Sequence, residues 1–358
     1  MRVILLIFSL IIQISISYCQ DSLSLIFIGD IMGHGGQIKA AYNAETKSYN
    51  YDAVFEKIKP VLDRADITIA NLEVTLAGPP YSGYPQFSSP DALVKSCKRN
   101  GIDVLVTANN HSCDRRKNGM IRTLEVLDAN QIPHTGTFRN SVERKHNNLL
   151  ILRKGAIRIG VLNYTYGTNG LKAQKPTSVN YIDTKTMRLD IEKSKLENLD
   201  QLIVITHWGL EYQTSPNKSQ IKVAEFLLDN GADMVIGGHP HVIQKAIWRK
   251  EKNQLVAFSL GNFVSNQASV NTDGGMMLEL TLVKNEDNIE IKNPGYHLVW
   301  VHKPNVNGKK IYEIIPCNLY ENDTTIMNAT NNSKMNLFIK NARKIMSQNE
   351  NIPEVQLH

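Results

Sequence analysis

Five apolar runs in this chain each end in side chains that can bind a metal ion or transfer a proton. The endings are Gly29-Asp30, Asn71-Leu72-Glu73, Asn109-Asn110-His111, Thr206-His207-Trp208 and Gly238-His239-Pro240-His241. Near-continuous apolar runs such as residues 24–28 are typical of strands that are buried on both faces. A single His-x-His after a strand indicates little. Five strand ends that all carry metal-binding or proton-transferring side chains together favour a metal site at those ends.

The apolar run at residues 232–236 leads into Gly237 and Gly238, and then into His239 and His241. Glycine adopts backbone conformations that other residues avoid, so the glycine pair predicts a sharp turn after the strand. Such a turn would hold the two imidazoles close together, as a metal site requires.

Strand-like and helix-like segments alternate up to His241, and strand-like segments dominate after it. The predicted strands cover residues 24–30, 67–70, 103–108, 149–153, 157–163, 202–207 and 232–236, and the predicted helices lie within 52–62, 91–100, 118–129, 184–197 and 220–229. Residues 243–248, 255–260, 275–283 and 289–301 predict antiparallel ribbons. This order is typical of an α/β protein with two packed sheets and helices outside them. Residues 76–90, rich in Gly, Pro, Ser and Tyr, predict a surface loop over the strand ends.

The sequence divides into three predicted parts. Residues 1–19 form a signal peptide, residues 23–303 form one domain, and residues 304–358 form an Asn- and Lys-rich C-terminal extension with one amphipathic stretch at 335–346. The first part has one Arg, an apolar run too short for a comfortable membrane span, and small residues before Gln20. Either signal peptidase leaves Gln20 as the new N-terminus, or Cys19 is the lipidated residue of a bacterial lipoprotein. Both outcomes predict export to the periplasm, the medium or the outer surface.

The composition is that of a folded protein with a mild positive charge. Hydrophobic residues make up 42% and charged residues 21% of the 358 residues, and the formal net charge is +6. The basic residues are scattered, so the pattern does not favour nucleic-acid binding. A moderate positive field favours an anionic substrate or an acidic polymer.

Three cysteines remain after removal of the signal peptide: Cys97, Cys113 and Cys317. Their spacing matches neither a zinc motif nor a disulfide framework, and an odd number cannot all pair within the chain. Buried free thiols are expected, although Cys97 and Cys113 flank one predicted strand and could meet.

The polar residues at the strand ends form a ligand set of Asp, Glu, Asn and His. These ligands suit two divalent ions about 3.5–4 Å apart, and a central carboxylate can bridge two cations. A site of this kind lowers the pKa of bound water toward about 7 and so supplies a nucleophile at neutral pH. A neighbouring imidazole that does not bind metal can protonate the leaving group. One or two divalent ions, either Mn, Fe or Zn, are therefore expected.

Six motifs in order give the chain a family resemblance. They are Gly29-Asp30-Ile31-Met32, Asn71-Leu72-Glu73, Asn109-Asn110-His111, the run from His207 to Tyr212, the run from Gly238 to Val242, and Ser259-Leu260-Gly261-Asn262-Phe263. Over residues 23–283 the chain resembles the CapA family of poly-γ-glutamate capsule biosynthesis proteins, a branch of the calcineurin-like metallophosphoesterase superfamily. The resemblance implies a four-layer α/β/β/α sandwich of the metallo-dependent phosphatase type, with the metal site at the sheet ends.

The resemblance also implies a role for each motif residue. Asp30 and His241 match ligands of the first metal, Glu73 stands near the place of the bridging carboxylate, Asn110, His207 and His239 match ligands of the second metal, and His111 matches the proton-donating histidine. The superfamily pattern has a histidine where this chain has Met32, and a Gly-Asp-x-x-Asp motif where it has Asn71-Leu72-Glu73. His34 could supply the missing imidazole or be a surface loop histidine. Asn71 either binds metal or orients Glu73, and Trp208, Glu211 and Asn262 fit roles beside the ligands or against the substrate.

Three functions fit these features. The first is an exported metal-dependent hydrolase that acts in the synthesis, release or anchoring of an anionic surface polymer. The second is a non-catalytic component that binds polymer or assembles with membrane proteins of capsule synthesis. The third is a general periplasmic phosphatase that acts on a phosphorylated small substrate. An unligated imidazole at His111 favours chemistry, whereas the replacement at Met32 favours binding.

Overall fold

The computed structural model describes residues 21–286, 288–323, 325–347 and 351–357. The predicted signal peptide lies outside the described residues. Among the helices of the described ranges, none combines the length and the apolar character needed to cross a membrane.

Most strands of the described chain belong to two large sheets. In chain order the strands are β1 (Asp21–Ile31), β2 (Tyr42–Asn43), β3 (Ser48–Tyr49), β4 (Ile67–Leu72), β5 (Val104–Val106), β6 (His134–Thr135), β7 (Thr137–Phe138), β8 (Leu150–Lys154), β9 (Ile157–Thr165), β10 (Ser178–Val179), β11 (Gln201–His207), β12 (Met234–Gly238), β13 (Ile243–Arg249), β14 (Gln254–Leu260), β15 (Asn262–Val264), β16 (Gly274–Asn285), β17 (Asn288–His302), β18 (Asn305–Val306), β19 (Lys309–Lys310) and β20 (Glu313–Pro316). The helices are α1 (Gly35–Ala41), α2 (Asp52–Phe55), α3 (Lys59–Leu62), α4 (Ala92–Arg99), α5 (Arg116–Ala129), α6 (Ser141–Asn147), α7 (Thr184–Ser194), α8 (Lys218–Asn230), α9 (Cys317–Tyr320) and α10 (Ala329–Met346).

The first sheet has the order β20-β17-β16-β1-β4-β5-β6, with β15 beside the end of β1, and the second has the order β13-β14-β12-β11-β9-β8. The strands β1, β4, β5 and β6 are parallel, as are β9, β11, β12 and β14. As predicted, the strands after His241 pair as antiparallel ribbons, β13 with β14 and β16 with β17. In addition, β14 runs parallel to β12, so the first ribbon extends the second sheet.

The two sheets pack face to face, and helices cover their outer faces. Side chains of both sheets, such as Phe27, Val106, Ile203 and Ile236, form one buried cluster between them. The opposite face of the first sheet packs against α2 to α5, and that of the second sheet packs against α7 and α8. Both faces of the central strands are therefore buried, which explains their continuous apolar sequences.

Residues 52–62 form two short helices, α2 and α3, where one helical segment is predicted. Pro60 lies in the first turn of α3. Proline lacks the backbone N–H that an uninterrupted helix would use, so the helix stops and restarts here.

The described part of the predicted C-terminal extension packs onto the preceding domain. Strand β20 pairs with β17, and the α10 side chains Met335, Phe338 and Met346 belong to the cluster between the sheets. The two sides of the predicted boundary at residue 304 therefore share one core.

Cys97, Cys113 and Cys317 are buried free thiols, as expected from their number and spacing.

Candidate metal centre

The carboxyl ends of the parallel strands bring the predicted site residues to one place. The pairing of β1 with β4 and β15 sets Asp30 beside both Asn71 and Asn262. The pairing of β11 with β12 sets His207 beside Gly238, directly before His239. Because β1 and β12 belong to facing sheets, these endings meet across the interior.

Glu73 lies at the centre of this arrangement and is fully buried. Its Oε1 atom is 3.6 Å from Nε2 of His207, 3.9 Å from Nε2 of His241 and 4.0 Å from Nε2 of His111. Neither carboxylate oxygen has a hydrogen-bond partner. A buried carboxylate without partners is costly, so a cation is the expected neighbour.

The first group of candidate ligands contains Asp30, Glu73 and His241, whose ligand atoms lie within 4.8 Å of one another. Asn262 orients the imidazole of His241. Its Nδ2 donates to Gln267 Oε1 and to the Thr272 carbonyl, so its Oδ1 accepts the Nδ1–H of His241 at 3.0 Å. This hydrogen bond leaves Nε2 of His241 as the free electron-pair donor toward Glu73, as a metal ligand requires.

The second group contains Glu73, His207 and His239, again within 4.8 Å. Asn110 belongs with it, because its Oδ1 lies 2.8 Å from Nε2 of His207, so both atoms can face the same ion. Nδ1 of His239 is buried and has no hydrogen-bond partner. The predicted ligands of both metals are thus close together, with Glu73 common to the two groups.

The loop after β12 is built differently from the prediction. The positive φ angles fall on His239 (96°) and His241 (58°), and not on the two glycines. The glycines are needed for close approach, because a Cβ on Gly238 would lie 2.7 Å from Asp30 Oδ1 and one on Gly237 would lie 2.1 Å from the Phe258 carbonyl oxygen. Backbone conformations that are unfavourable for histidine are typical of functional sites.

His111 pairs with an acidic residue that the sequence analysis missed. Its Nδ1–H donates to Asp114 Oδ2 at 2.7 Å, and the backbone N–H of Phe87 donates to the same oxygen at 2.7 Å. The Phe87 ring packs edge-on against His111 with centroids 4.6 Å apart, so part of the predicted surface loop forms a buried wall of the site. The three-residue spacing between His111 and Asp114 was the available signal.

The other predicted residues surround the ligands. Asn71 Nδ2 donates to Asp30 Oδ1 at 2.8 Å and lies 3.3 Å from His207 Nδ1, so it orients these two residues, and not Glu73. Trp208 packs against Phe258 and donates to its carbonyl oxygen at 2.9 Å.

His34 and Glu211 belong to neither group of ligand atoms. Nδ1 of His34 lies 3.2 Å from Gln37 Oε1 and 3.3 Å from the backbone N of Asn266. His34 therefore fixes the start of α1 beside the site. Glu211, in contrast, is exposed. Metal binding by His34 stays a prediction.

Tyr166 was also missed, because nothing in its sequence setting distinguishes it. Its ring is 48% exposed, lies 4.5 Å from that of His239 and is stacked on His207 at 6.5 Å. It therefore stands between solvent and two candidate ligands.

Burial shifts the pKa values of the histidines and carboxylates at the centre of the site. Burial lowers the pKa of His239 to about 3 and that of His207 well below its usual range, so both imidazoles are neutral at pH 7. Burial, reinforced by the charge of Asp30, raises the pKa of Glu73 well above its usual value. For Asp30, burial acts to raise the pKa, but the interactions with His241 and His207 and the hydrogen bond from Asn71 outweigh it and hold the pKa low. Neutral imidazoles beside carboxylates fit a divalent cation.

Comparison with known proteins identifies relatives of this chain. Residues 24–267 match the family described as "Bacterial capsule synthesis protein PGA_cap". Capsule biosynthesis protein CapA of Bacillus anthracis is 28% identical over 315 residues, which cover 84% of this chain and 69% of that protein. PGA biosynthesis protein CapA of Bacillus subtilis (strain 168) is 28% identical over 277 residues, which cover 75% of this chain and 70% of that protein.

A solved structure shares the fold. The NAD nucleotidase of Haemophilus influenzae aligns with a TM-score of 0.50 at 13% identity, over 95% of this chain and 65% of that one. Together with the layers described above, this likeness confirms the predicted α/β sandwich. The match of the family over most of the sandwich identifies the chain itself: it belongs to the bacterial capsule synthesis protein family PGA_cap, as its motifs predict.

Proposed function

We propose that this protein is an exported metal-dependent hydrolase that acts on an anionic polymer or a phosphorylated substrate in bacterial capsule biosynthesis. The observation that carries the proposal is the buried carboxylate of Glu73, which has no hydrogen-bond partner and faces three imidazole nitrogens. A site built only for stability would pair such a group within the protein.

Two sets of residues would hold divalent ions. Asp30, Glu73 and His241 would hold one ion, and Glu73, His207 and His239 with Asn110 would hold the other. When bound, such ions stabilise negative charge on a substrate and make water a nucleophile at neutral pH. Asn71 and Asn262 keep the ligands oriented through their side-chain hydrogen bonds.

His111 is placed to move a proton. Asp114 fixes the proton of the imidazole on Nδ1, while Nε2 faces Glu73. His111 can therefore deliver a proton from Nε2 to a leaving group without binding metal.

A non-catalytic role in polymer binding or capsule assembly is the second candidate function, and one observation favours it. Met32 stands where the superfamily has a ligand histidine, and its side chain is buried in the apolar cluster under α2 to α5. The first ligand group is therefore reduced to three residues, which suits binding better than turnover.

Metal analysis and a substrate panel test the proposal. The purified protein, incubated with manganese, iron or zinc, should retain one to two divalent ions per chain by mass spectrometry of the elements, and His239→Ala should lose most of them. His297→Ala is the matched control, because His297 is equally buried but donates to Glu279 away from the site. A wild-type protein that retains no metal contradicts the proposal.

The panel contains aryl phosphates, phosphodiesters and γ-linked glutamate oligomers. Metal-dependent hydrolysis of any of them supports the enzyme and identifies its substrate class. If the metal-loaded protein binds γ-linked glutamate but hydrolyses nothing, the non-catalytic candidate replaces the hydrolase.

Export is tested separately by mass spectrometry of the mature protein from its native host. The chain should begin at or near Gln20 or carry a lipid on Cys19. An intact Met1 on protein from the cytoplasmic fraction would contradict export.

A further inference from the structure

The loop that follows β15 connects the metal centre to a half-buried lysine. Asn262, which orients His241, donates from Nδ2 to Gln267 Oε1 at 3.0 Å. The backbone carbonyl oxygen of the same Gln267 accepts a hydrogen bond from Nζ of Lys303. Lys303 is thus separated from a candidate metal ligand by two intervening residues.

A second lysine reaches the same loop from another direction. Lys310 Nζ donates to Asn266 Oδ1 at 3.3 Å, and the backbone N–H of Asn266 donates to His34 Nδ1 at 3.3 Å. His34 therefore lies between the lysines and the site.

The two lysines are poorly neutralised. Within the described ranges, neither forms an ion pair with a carboxylate. Burial lowers the pKa of Lys303 to about 8, Asp273 opposes this shift, and the charge of Lys310 adds to it. Asp273 Oδ2 accepts a hydrogen bond from the indole N–H of Trp300 at 2.8 Å. Two ammonium groups on one loop therefore leave a local excess of positive charge.

We infer that Lys303 and Lys310 form an anion subsite beside the metal centre, which binds a second negative group of the substrate. This inference rests on the proposed function, because it takes the metal centre as the place of the first negative group. The site then prefers chains that carry repeated negative charges over substrates with a single one. Of the two, Lys303 should contribute more, because a partly buried ammonium without a carboxylate partner gains more from such a group than an exposed one.

Equilibrium binding to the manganese-loaded protein tests the subsite without requiring turnover. Calorimetry would compare a γ-linked glutamate hexamer with the dimer, and inorganic tripolyphosphate with phosphate. In at least one of the two pairs, the longer probe should bind more tightly than the shorter one. Lys303→Met should weaken the binding of this longer probe about 10-fold and leave the affinity for the shorter probe unchanged. Lys310→Met, at an exposed position, should weaken it less, and Lys303→Arg should restore most of the affinity.

Lys284→Met is the matched control, because Lys284 is paired with Asp200 and lies opposite Asp21, at the far end of β1 from Asp30. The pair of probes that responds to Lys303→Met identifies the negative group as carboxylate or phosphate. Equal affinity of longer and shorter probes, or long-probe binding that survives both Lys303→Met and Lys310→Met, overturns the subsite even if hydrolysis is found. Lysine-dependent binding without hydrolysis of any panel substrate supports the subsite and removes the hydrolase.

Discussion

The two ends of the parallel strands both carry carboxylates, but they use them differently. At the amino ends, an aspartate lies just before each of four strands and accepts a hydrogen bond from a backbone N–H of the neighbouring strand. The four pairs are Asp66 with Ser24, Asp103 with Thr68, Asp200 with Arg158 and Asp233 with Leu202, at distances of 2.7–2.8 Å. At the carboxyl ends, Glu73 has no hydrogen-bond partner. The sequence alone shows both as an acidic residue at a strand end.

The difference teaches that hydrogen-bond satisfaction, and not residue type or position on a strand, separates Glu73 from these four aspartates. Asp30, the other candidate carboxylate ligand, accepts hydrogen bonds from Asn71 Nδ2 at 2.8 Å and from the backbone N–H of His239 at 3.2 Å. An aspartate that accepts a free strand N–H completes the backbone pairing of the sheet. A carboxylate surrounded by imidazoles, with both oxygens unpaired, is set up for a cation that the protein itself does not supply.

Replacing Glu73 should produce the largest effect. In Glu73→Gln the metal content should fall to near zero, and any hydrolysis should fall by about 10³-fold or more, because both ligand groups share this residue. The metal-free variant should nevertheless be more stable than metal-free wild type, by about 1–3 kcal/mol, since a buried unpaired carboxylate is removed.

Denaturant unfolding in the presence of a chelator measures this difference. Glu279→Gln is the control, because Glu279 accepts a hydrogen bond from His297 at 2.8 Å and should lose stability on replacement. If both variants lose stability alike, Glu73 is an ordinary structural carboxylate and the contrast between the strand ends fails.

Replacing His111 should separate proton transfer from metal binding. His111→Ala should keep its metal and fold while hydrolysis falls by about 10²–10⁴-fold, the usual range for general acid–base catalysis. His241→Ala should lose metal and activity together. Loss of metal from His111→Ala, by elemental analysis, would place His111 among the ligands instead.

Replacing Asp114 should also lower hydrolysis without loss of metal, but by less than replacing His111. Asp114→Asn should lower hydrolysis by about 10–100-fold at unchanged metal content, because the residue acts only through the orientation and charge of His111. The double variant with His111→Ala should be no slower than His111→Ala alone. Additive losses would mean that Asp114 acts independently of the imidazole.

At the amino ends, replacing Asp233 should change the pH dependence of the free energy of unfolding, which is a smaller and purely structural effect. Burial raises the pKa of Asp233 to about 6, above its unfolded value of 3.8. The folded protein therefore binds more protons between pH 4 and pH 6, and the contribution of this carboxyl to stability falls as the pH rises through that window. Asp233→Asn should gain up to about 3 kcal/mol relative to wild type between pH 4 and pH 7, measured by urea unfolding.

Asp66→Asn provides the control of opposite sign. Burial acts to raise the pKa of Asp66, but hydrogen bonds from Lys154 and Ser24 together outweigh it and lower the pKa. Its contribution to stability is therefore present above the unfolded pKa and is lost as the pH falls. The same pH trend in both variants would contradict these assignments.

The strand ends were the predictable part of the site. Asp30, Glu73, Asn110, His207, His239 and His241 each follow an apolar run long enough to identify a buried strand, and parallel strands deliver their ends to one edge. The family motifs added the roles of these residues, and the family itself is confirmed.

The missed residues act through contacts that sequence spacing does not encode. Phe87 lies in a segment whose Gly, Pro and Ser content predicts an exposed loop, yet it is fully buried against His111. Tyr166 reaches the site because β9 ends beside β11, where Thr165 pairs with His207, 42 residues later in the chain. The positive φ angles of His239 and His241 could not be predicted either, since two glycines, which adopt such angles more readily, stand directly before His239.

Helix α10 fills space between the two sheets, so the interior is completed by residues near the end of the sequence. During synthesis the strands that supply the ligands leave the ribosome first, and Met335, Phe338 and Met346 follow more than seventy residues after Asn262. The early strands cannot exclude water from their shared interior until these side chains arrive. We therefore expect the growing chain to form a stable metal site only after its last helix has been made.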